Sequence, residues 1–239
     1  MTKAMLFAAG LGTRLKPFTD NHPKALAPIN GITLLERNIR YLTSFGIREI
    51  VINIHHFGEQ ILDFLDKNRD FNCKILISDE QAEVLETGGG LCKAAPLLGK
   101  EPFLVMNVDI LTDMDLNSFI HYHQERKPLV SLAVSDRNSS RKLFFDEGNR
   151  LTGWKNLTTG ESIFVPPYSD DNSTPLAFSG IHIIDPELFS HIRQKGKFSI
   201  MKTYLKLMDK EKILGYKHSA YLIDVGKPES LKEAEKYFI

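Results

Sequence analysis

Two glycines, one arginine and two lysines crowd the run AAGLGTRLKPFTDNHPKAL (8–26), directly behind a short apolar strand. Glycine lets a backbone approach a ligand closely, and successive N–H groups between Gly10 and Thr13 can form a nest for an anion. Arg14 can grip two phosphate oxygens at once. Lys24 returns from the loop as a second point charge. A solvated loop with surface cations is the alternative for the same residues. Two familiar phosphate motifs are excluded. G-x-G-x-x-G fails because Leu15 stands at the third glycine, and the second strand ends INIHH without the carboxylate that holds a ribose. The pattern G-x-x-x-x-G-K-[ST] is absent.

Strands must carry that loop to a sheet edge. AMLFAA (4–9), EIVINI (49–54), CKILIS (73–78) and PFLVMNVD (102–109) are short apolar runs that predict buried strands. Between them, TLLERNIRYLTSF (33–45) sets Leu35, Ile39 and Leu42 on one helical face, with Gly46 as a stop, and GEQILDFLDKN (58–68) repeats the period. GGLCKAAPLL (89–98) predicts a glycine turn feeding a short helix, and LNSFIHYHQ (116–124) a further helix. This alternation implies right-handed crossovers and a mostly parallel, Rossmann-like α/β sheet flanked by helices.

The second half differs. LVSLAVS (129–135), KLFFDEGNRLTGW (142–154) and LAFSGIHIID (176–185) are strand-like without long helices between them, and DEGN suggests a hairpin. The stretch 158–175 is rich in Pro, Ser and Asp and predicts a loop or mobile lid. Helices are expected over 186–194, 198–210 and 228–238, and strand over 212–226. The expectation is one domain over 1–239, with a nucleotide-binding half (1–125) and a mixed-sheet, sugar-phosphate-binding half (126–239).

The chain has 239 residues, 42 % hydrophobic and 25 % charged, with 30 cations against 30 anions. A zero net charge gives no global field toward nucleic acid or an anionic membrane, so affinity for phosphate must be local. No run approaches the roughly 18 apolar residues of a membrane span. Two isolated cysteines, Cys73 and Cys92, predict buried thiols in a reducing compartment. The expected protein is soluble and cytoplasmic.

The loop AAGLGTRLKPFT…PKAL resembles the G-x-G-x-R-[LM]-x-P-x-T…P-K signature of the sugar-1-phosphate nucleotidyltransferases. LETGGGL (85–91), NVDIL (107–111) and IDVGKPESL (223–231) resemble that family's base-facing loop, strand-end aspartate motif and closing D-x-G motif, in order. The resemblance spans essentially the whole chain. It is nearest the short bacterial members, including N-acetylmuramate-1-phosphate uridylyltransferases and the mannose-1-phosphate guanylyltransferase-like group. It implies a nucleotide-diphospho-sugar transferase (GT-A-like) fold that joins a nucleoside triphosphate to a sugar 1-phosphate and releases pyrophosphate. It also implies Arg14, Lys24 and Asp109 as catalytic residues, and Asp109 and Asp224 as ligands of Mg²⁺. Ala9, Gly10, Leu11, Gly12, Thr13, Glu86, Thr87, Gly88, Gly89, Asn107 and Gly180 would bind the substrates.

The chemistry is consistent with those types. Both reactants are polyanions, and like charges about 4 Å apart repel by about 4 kcal/mol at an effective dielectric of 20. Neutralisation and alignment are therefore the main tasks. Asp109 and Asp224 each end an apolar strand, FLVMNVD and AYLID, where an unpaired carboxylate is costly. Hard oxygen ligands suit magnesium. Asp113 and Asp115 read as turn and cap residues, and Gly180 as a sugar approach or a bulge.

The departures are Val108 where N-G-D has glycine, and the lack of an E-K-P motif, for which Lys155 in WKN is a weak substitute. The preferred substrates are UTP and N-acetylmuramate 1-phosphate. Guanylyl transfer to mannose 1-phosphate is the alternative, and a non-catalytic nucleotide-sugar sensor is the rival from another class. Neither nucleic acid nor membrane is expected as a partner, and the chain is expected as a monomer or homodimer.

Overall fold

The computed structural model describes residues 3–80 and 83–238. In chain order the elements are β1 (Lys3–Phe7), β2 (Pro28–Ile29), β3 (Ile32–Thr33), α1 (Leu34–Ser44), β4 (Glu49–Ile54), α2 (Gly58–Lys67), β5 (Lys74–Asp79), α3 (Glu86–Leu98), β6 (Phe103–Asn107), β7 (Ile110–Thr112) and α4 (Leu116–Arg126). The second half adds β8 (Val130–Ser135), β9 (Arg141–Phe145), β10 (Leu151–Asn156), β11 (Ser162–Phe164), β12 (Thr174–Ile184), α5 (Leu188–His191), α6 (Ile200–Leu207), β13 (Ile213–Lys217), β14 (Leu222–Asp224) and α7 (Pro228–Tyr237).

The main sheet runs β11-β10-β9-β12-β6-β1-β4-β5, with β8 paired to β12 and β13 to β8. Strands β6, β1, β4 and β5 are parallel, as the strand–helix alternation predicts. β12 runs antiparallel to β6, β8 and β9, so it joins the parallel half to the mixed half. The fold is an α/β layered sheet with helices on both faces.

Local chemistry accounts for the helices. The Thr33 hydroxyl accepts the Glu36 N–H at 3.1 Å and starts α1. Leu34, Leu35, Ile39 and Leu42 then form its buried stripe. Asp115 accepts from the N–H groups of Asn117 and Ser118 and caps α4, as expected. One apolar cluster lies under α1, α2 and α4, and a second lies under α3 and α6 on the opposite face. A third cluster ties Leu15, Ile29, Leu34, Leu111, Ile223, Val225 and Ala234 together, so α7 packs against the β7–β14 pair and the loop after β1.

Four expectations need correction. Gly88, Gly89 and Gly90 lie inside the first turns of α3, not in a turn before it. The stretch 158–175 is not an open lid: β11 pairs antiparallel with β10, and Ser169 and Asn172 close a capped turn. The run 212–226 splits into β13, which extends the main sheet, and β14, which leaves it to pair with β7. A continuous apolar run cannot reveal that the chain changes sheets within it. Cys73 and Cys92 are free thiols, partly rather than fully buried.

Candidate active site

Every parallel strand of the first half ends at one edge of the sheet, and a cleft of about 710 Å³ opens there. The segment 8–14, Asn53, Glu80, Asn107, Val108 and Asp109 line it, each at or just after a strand end. This is where ligands bind in open α/β folds.

The loop after β1 is held by its own backbone and by Asn53. The Asn53 Oδ1 accepts the N–H groups of Ala8 at 2.7 Å and Ala9 at 3.3 Å. Its Nδ2 donates to Glu80 Oε1 at 2.7 Å. Glu80 is 1 % exposed, and burial raises its carboxyl above the usual range. Past Ala9 the loop turns outward. Among the described residues the N–H groups of Gly10, Leu11 and Gly12 meet no acceptor in the protein. Gly12 has φ +62°, and a Cβ there would lie 2.8 Å from Thr19 Cγ2 and 3.0 Å from Lys24 Cβ. Glycine is therefore required both by the left-handed backbone and by the close return of the chain. The return passes through three single 3-10 turns, Thr13–Leu15, Phe18–Asp20 and Lys24–Leu26. It contains no long helix.

That return delivers Lys24, 7 % exposed, into an ion pair with Asp109 Oδ2. Asp109 follows β6, and its carbonyl accepts the Val225 N–H at 2.8 Å. Asp224 sits opposite Ile110 in the β14–β7 pair. The two aspartates, far apart in sequence, thus occupy adjoining backbone. Burial raises the Asp224 carboxyl, and the charge of Asp109 adds to that. Its Oδ1 is buried with no hydrogen-bond donor among the described residues. Gly226 fits between Asp224 and Arg14: a Cβ there would lie 2.8 Å from Asp224 Oδ1 and 2.9 Å from Arg14 Nη2. Arg14 is held by its neighbour Leu15, which is 1 % exposed in the third apolar cluster.

The expected site residues divide accordingly. Ala9, Gly10, Leu11, Gly12, Thr13, Arg14, Lys24, Glu86, Thr87, Asn107 and Asp109 line the cleft. Asp224 stands immediately behind it, across Gly226. Gly88 and Gly89 face protein instead: their Cβ positions would lie 2.2 Å from Phe198 Cε2 and from the Gly196 carbonyl oxygen. They let α3 touch the 196–200 segment, where the Gly88 N–H donates to Phe198 O and the Thr87 hydroxyl accepts the Ile200 N–H. Gly180 has φ +74° at an irregularity of β12, and Ile110 and Asn107 fill the space beside it. It stands at a bulge and is not among the residues lining the cleft. Lys155 pairs with Asp170 away from the cleft.

Asn53, Glu80, Val84, Arg141, Lys197 and Ser199 also line the cleft and were not singled out in the sequence. For Asn53 a signal was present: an amide inside the apolar strand EIVINI must find partners. The other five carry no comparable local mark.

A family model described as nucleotidyl transferase matches residues 3–143. The chain is 34 % identical to the N-acetylmuramate alpha-1-phosphate uridylyltransferase of Neisseria meningitidis serogroup B, covering 98 % of this chain and 96 % of that protein. It is 28 % identical to the protein of the same name from Caulobacter vibrioides, over 97 % and 95 %. Among solved structures, HddC from Yersinia pseudotuberculosis complexed with GMP-PN superposes with TM-score 0.81 at 24 % identity, covering 100 % of both chains.

Proposed function

The chain belongs to the nucleotidyl transferase family and is a sugar-1-phosphate nucleotidyltransferase, and from that premise we propose that it transfers the uridylyl group of UTP to N-acetylmuramate 1-phosphate. Pyrophosphate is released and a nucleotide sugar forms. The observation that carries the choice of substrates is the end-to-end match, at 34 % identity, to the Neisseria uridylyltransferase.

In this reading the free N–H groups of Gly10, Leu11 and Gly12 take the nucleotide's oxygens, with Ala9 and Thr13 beside them, and Arg14 binds the departing phosphates. Glu86 and Thr87 border the base and ribose. Asn107 lies by the acceptor. Lys24 is freed from Asp109 as substrates enter, and its ammonium stabilises the charge that develops at the α-phosphate. The acceptor's phosphate oxygen is already anionic and attacks the α-phosphorus in line, so no protein nucleophile is required.

Asp109 and Asp224 suit a divalent cation. They are two hard carboxylates on adjoining backbone, and one of their oxygens is buried without a donor among the described residues. Mg²⁺ held there would supply charge neutralisation to the phosphates.

The test is a matrix of the four nucleoside triphosphates against N-acetylmuramate, N-acetylglucosamine and mannose 1-phosphates, with Mg²⁺ and with chelator, read as pyrophosphate release. UTP with N-acetylmuramate 1-phosphate is expected to give the highest kcat/KM, and chelator to abolish it. A matrix led by GTP with mannose 1-phosphate rejects the proposal.

A further inference from the structure

The order of the sheet divides the cleft. Asn53 and Glu80, at the ends of β4 and β5, lie on one side of β6 with Glu86 and Thr87 of α3. The Lys24–Asp109 pair stands at the end of β6 itself. On the other side lie β12 and then β9. A nucleotide seated on the β1–α3 side with its α-phosphate at Asp109 leaves the β12–β9 side for the acceptor sugar.

Arg141 is the cation on that side. It opens β9, lines the cleft and is exposed. Among the described residues its guanidinium has no hydrogen-bond or ion-pair partner. β12 links β9 to β6: Leu143 pairs with Leu176, Ile181 pairs with Met106, and the irregularity at Gly180 lies between the two pairings. Arg141 and Asn107 border the same cleft, Arg141 from beyond β12 and Asn107 from the end of β6 beside Asp109. Arg141 therefore faces an acceptor whose 1-phosphate sits at Asp109 from the β9 side.

We infer that Arg141 selects the acceptor by pairing with an anionic substituent on its sugar ring, which for N-acetylmuramate is the carboxylate of the lactyl ether. The inference rests on the substrate reading above. A planar guanidinium matches a carboxylate with two parallel hydrogen bonds, which gives direction as well as charge. Lys197, like Arg14 and Arg141 a cation of the cleft without a hydrogen-bond or ion-pair partner among the described residues, precedes α6 against α3 and so belongs to the nucleotide side.

N-acetylglucosamine 1-phosphate is the same acceptor without the lactyl group, so the pair isolates the carboxylate. Wild type, Arg141→Gln and Arg141→Lys are assayed with both acceptors and UTP. The inference expects wild type to favour the muramate. Arg141→Gln should lower the muramate-to-glucosamine ratio of kcat/KM about 10- to 100-fold, the range for a charge-assisted bond. The loss should appear in the KM of the muramate and not of UTP, and Arg141→Lys should recover part of it. An exposed side chain leaves the urea midpoint near that of wild type, which checks folding. If Arg141→Gln leaves the ratio unchanged, Arg141 serves the phosphate common to both acceptors or neither, and the inference fails while the substrate reading stands. If wild type does not use the muramate, the substrate reading fails and takes the inference with it.

Discussion

In the proposed reaction Lys24 and Asp109 neutralise each other where two polyanions would meet, while Gly226, without a side chain, leaves room for Arg14 Nη2 and Asp224 Oδ1 close beside it. This balance makes distinct predictions for each residue. Lys24→Met should lower kcat/KM about 10²- to 10³-fold, the usual loss for a group that stabilises transition-state charge. Asp224→Asn should raise the Mg²⁺ concentration needed for half-maximal velocity, and Asp109→Asn should do so as well. Initial rates across a Mg²⁺ titration separate this rise in metal requirement from a loss of maximal rate. If Asp224→Asn behaved as wild type at every Mg²⁺ concentration, the aspartate pair would not be the metal site. At this scale the sequence was informative. Gly12, Arg14, Lys24, Asp109 and Asp224 are chemically conspicuous because each is a costly residue for its surroundings. Asn53 and Glu80 were passed over because their work is to hold other groups rather than to face a ligand.

Among the elements, α3 shows how a motif can be recognised and yet misplaced. Its glycines sit at the expected positions, but they serve close packing. Gly88 admits the Phe198 ring and Gly89 the Gly196 carbonyl, which brings the 196–200 segment against the first turn of α3. Helix propensity alone predicts that Gly88→Ala stabilises the protein by about 1 kcal/mol. The packing predicts the opposite. A methyl 2.2 Å from Phe198 Cε2 must push α3 and α6 apart, and overpacking of this kind costs about 1–3 kcal/mol. Urea unfolding of Gly88→Ala should show a lowered midpoint with the m-value unchanged. A raised midpoint would mean that the glycine answers to something other than this contact. The packing lies between residues about a hundred positions apart, and no local window of sequence can display it.

For the whole molecule, two buried histidines couple the helices of opposite faces to the sheet. His123 of α4 reaches Ser131 of β8 at 2.9 Å, and Tyr204 of α6 reaches His182 of β12 at 2.7 Å. Burial lowers the His123 imidazole to about 4 and the His182 imidazole to about 3. Both are neutral in the folded chain at neutral pH, whereas unfolded histidines take up protons below about pH 6.5. From there down to the buried groups' own values the unfolded state binds more protons. Stability therefore falls as pH falls, by about 1.4 kcal/mol per pH unit for each histidine. Glu80 and Asp224, raised by burial, work in the opposite direction over the same range, so the histidine share is read as a difference: in urea titrations between pH 7 and pH 4.5, His182→Asn should lose stability less steeply with falling pH than wild type, by about one proton's share. A slope the same in His182→Asn as in wild type would place the protonation elsewhere.

Sequence by itself determined the alternating half of the sheet, the helical faces and which residues stand out as candidates for the site, because periodicity and costly residue types are local properties. Only the tertiary structure decided that β12 would carry the sheet into the second half, that β14 would leave the main sheet to set Asp224 beside Asp109, and that Arg141 would face the cleft. Those outcomes depend on strand order and register, which are set by burial summed over contacts between distant segments and are written in no single stretch of the chain.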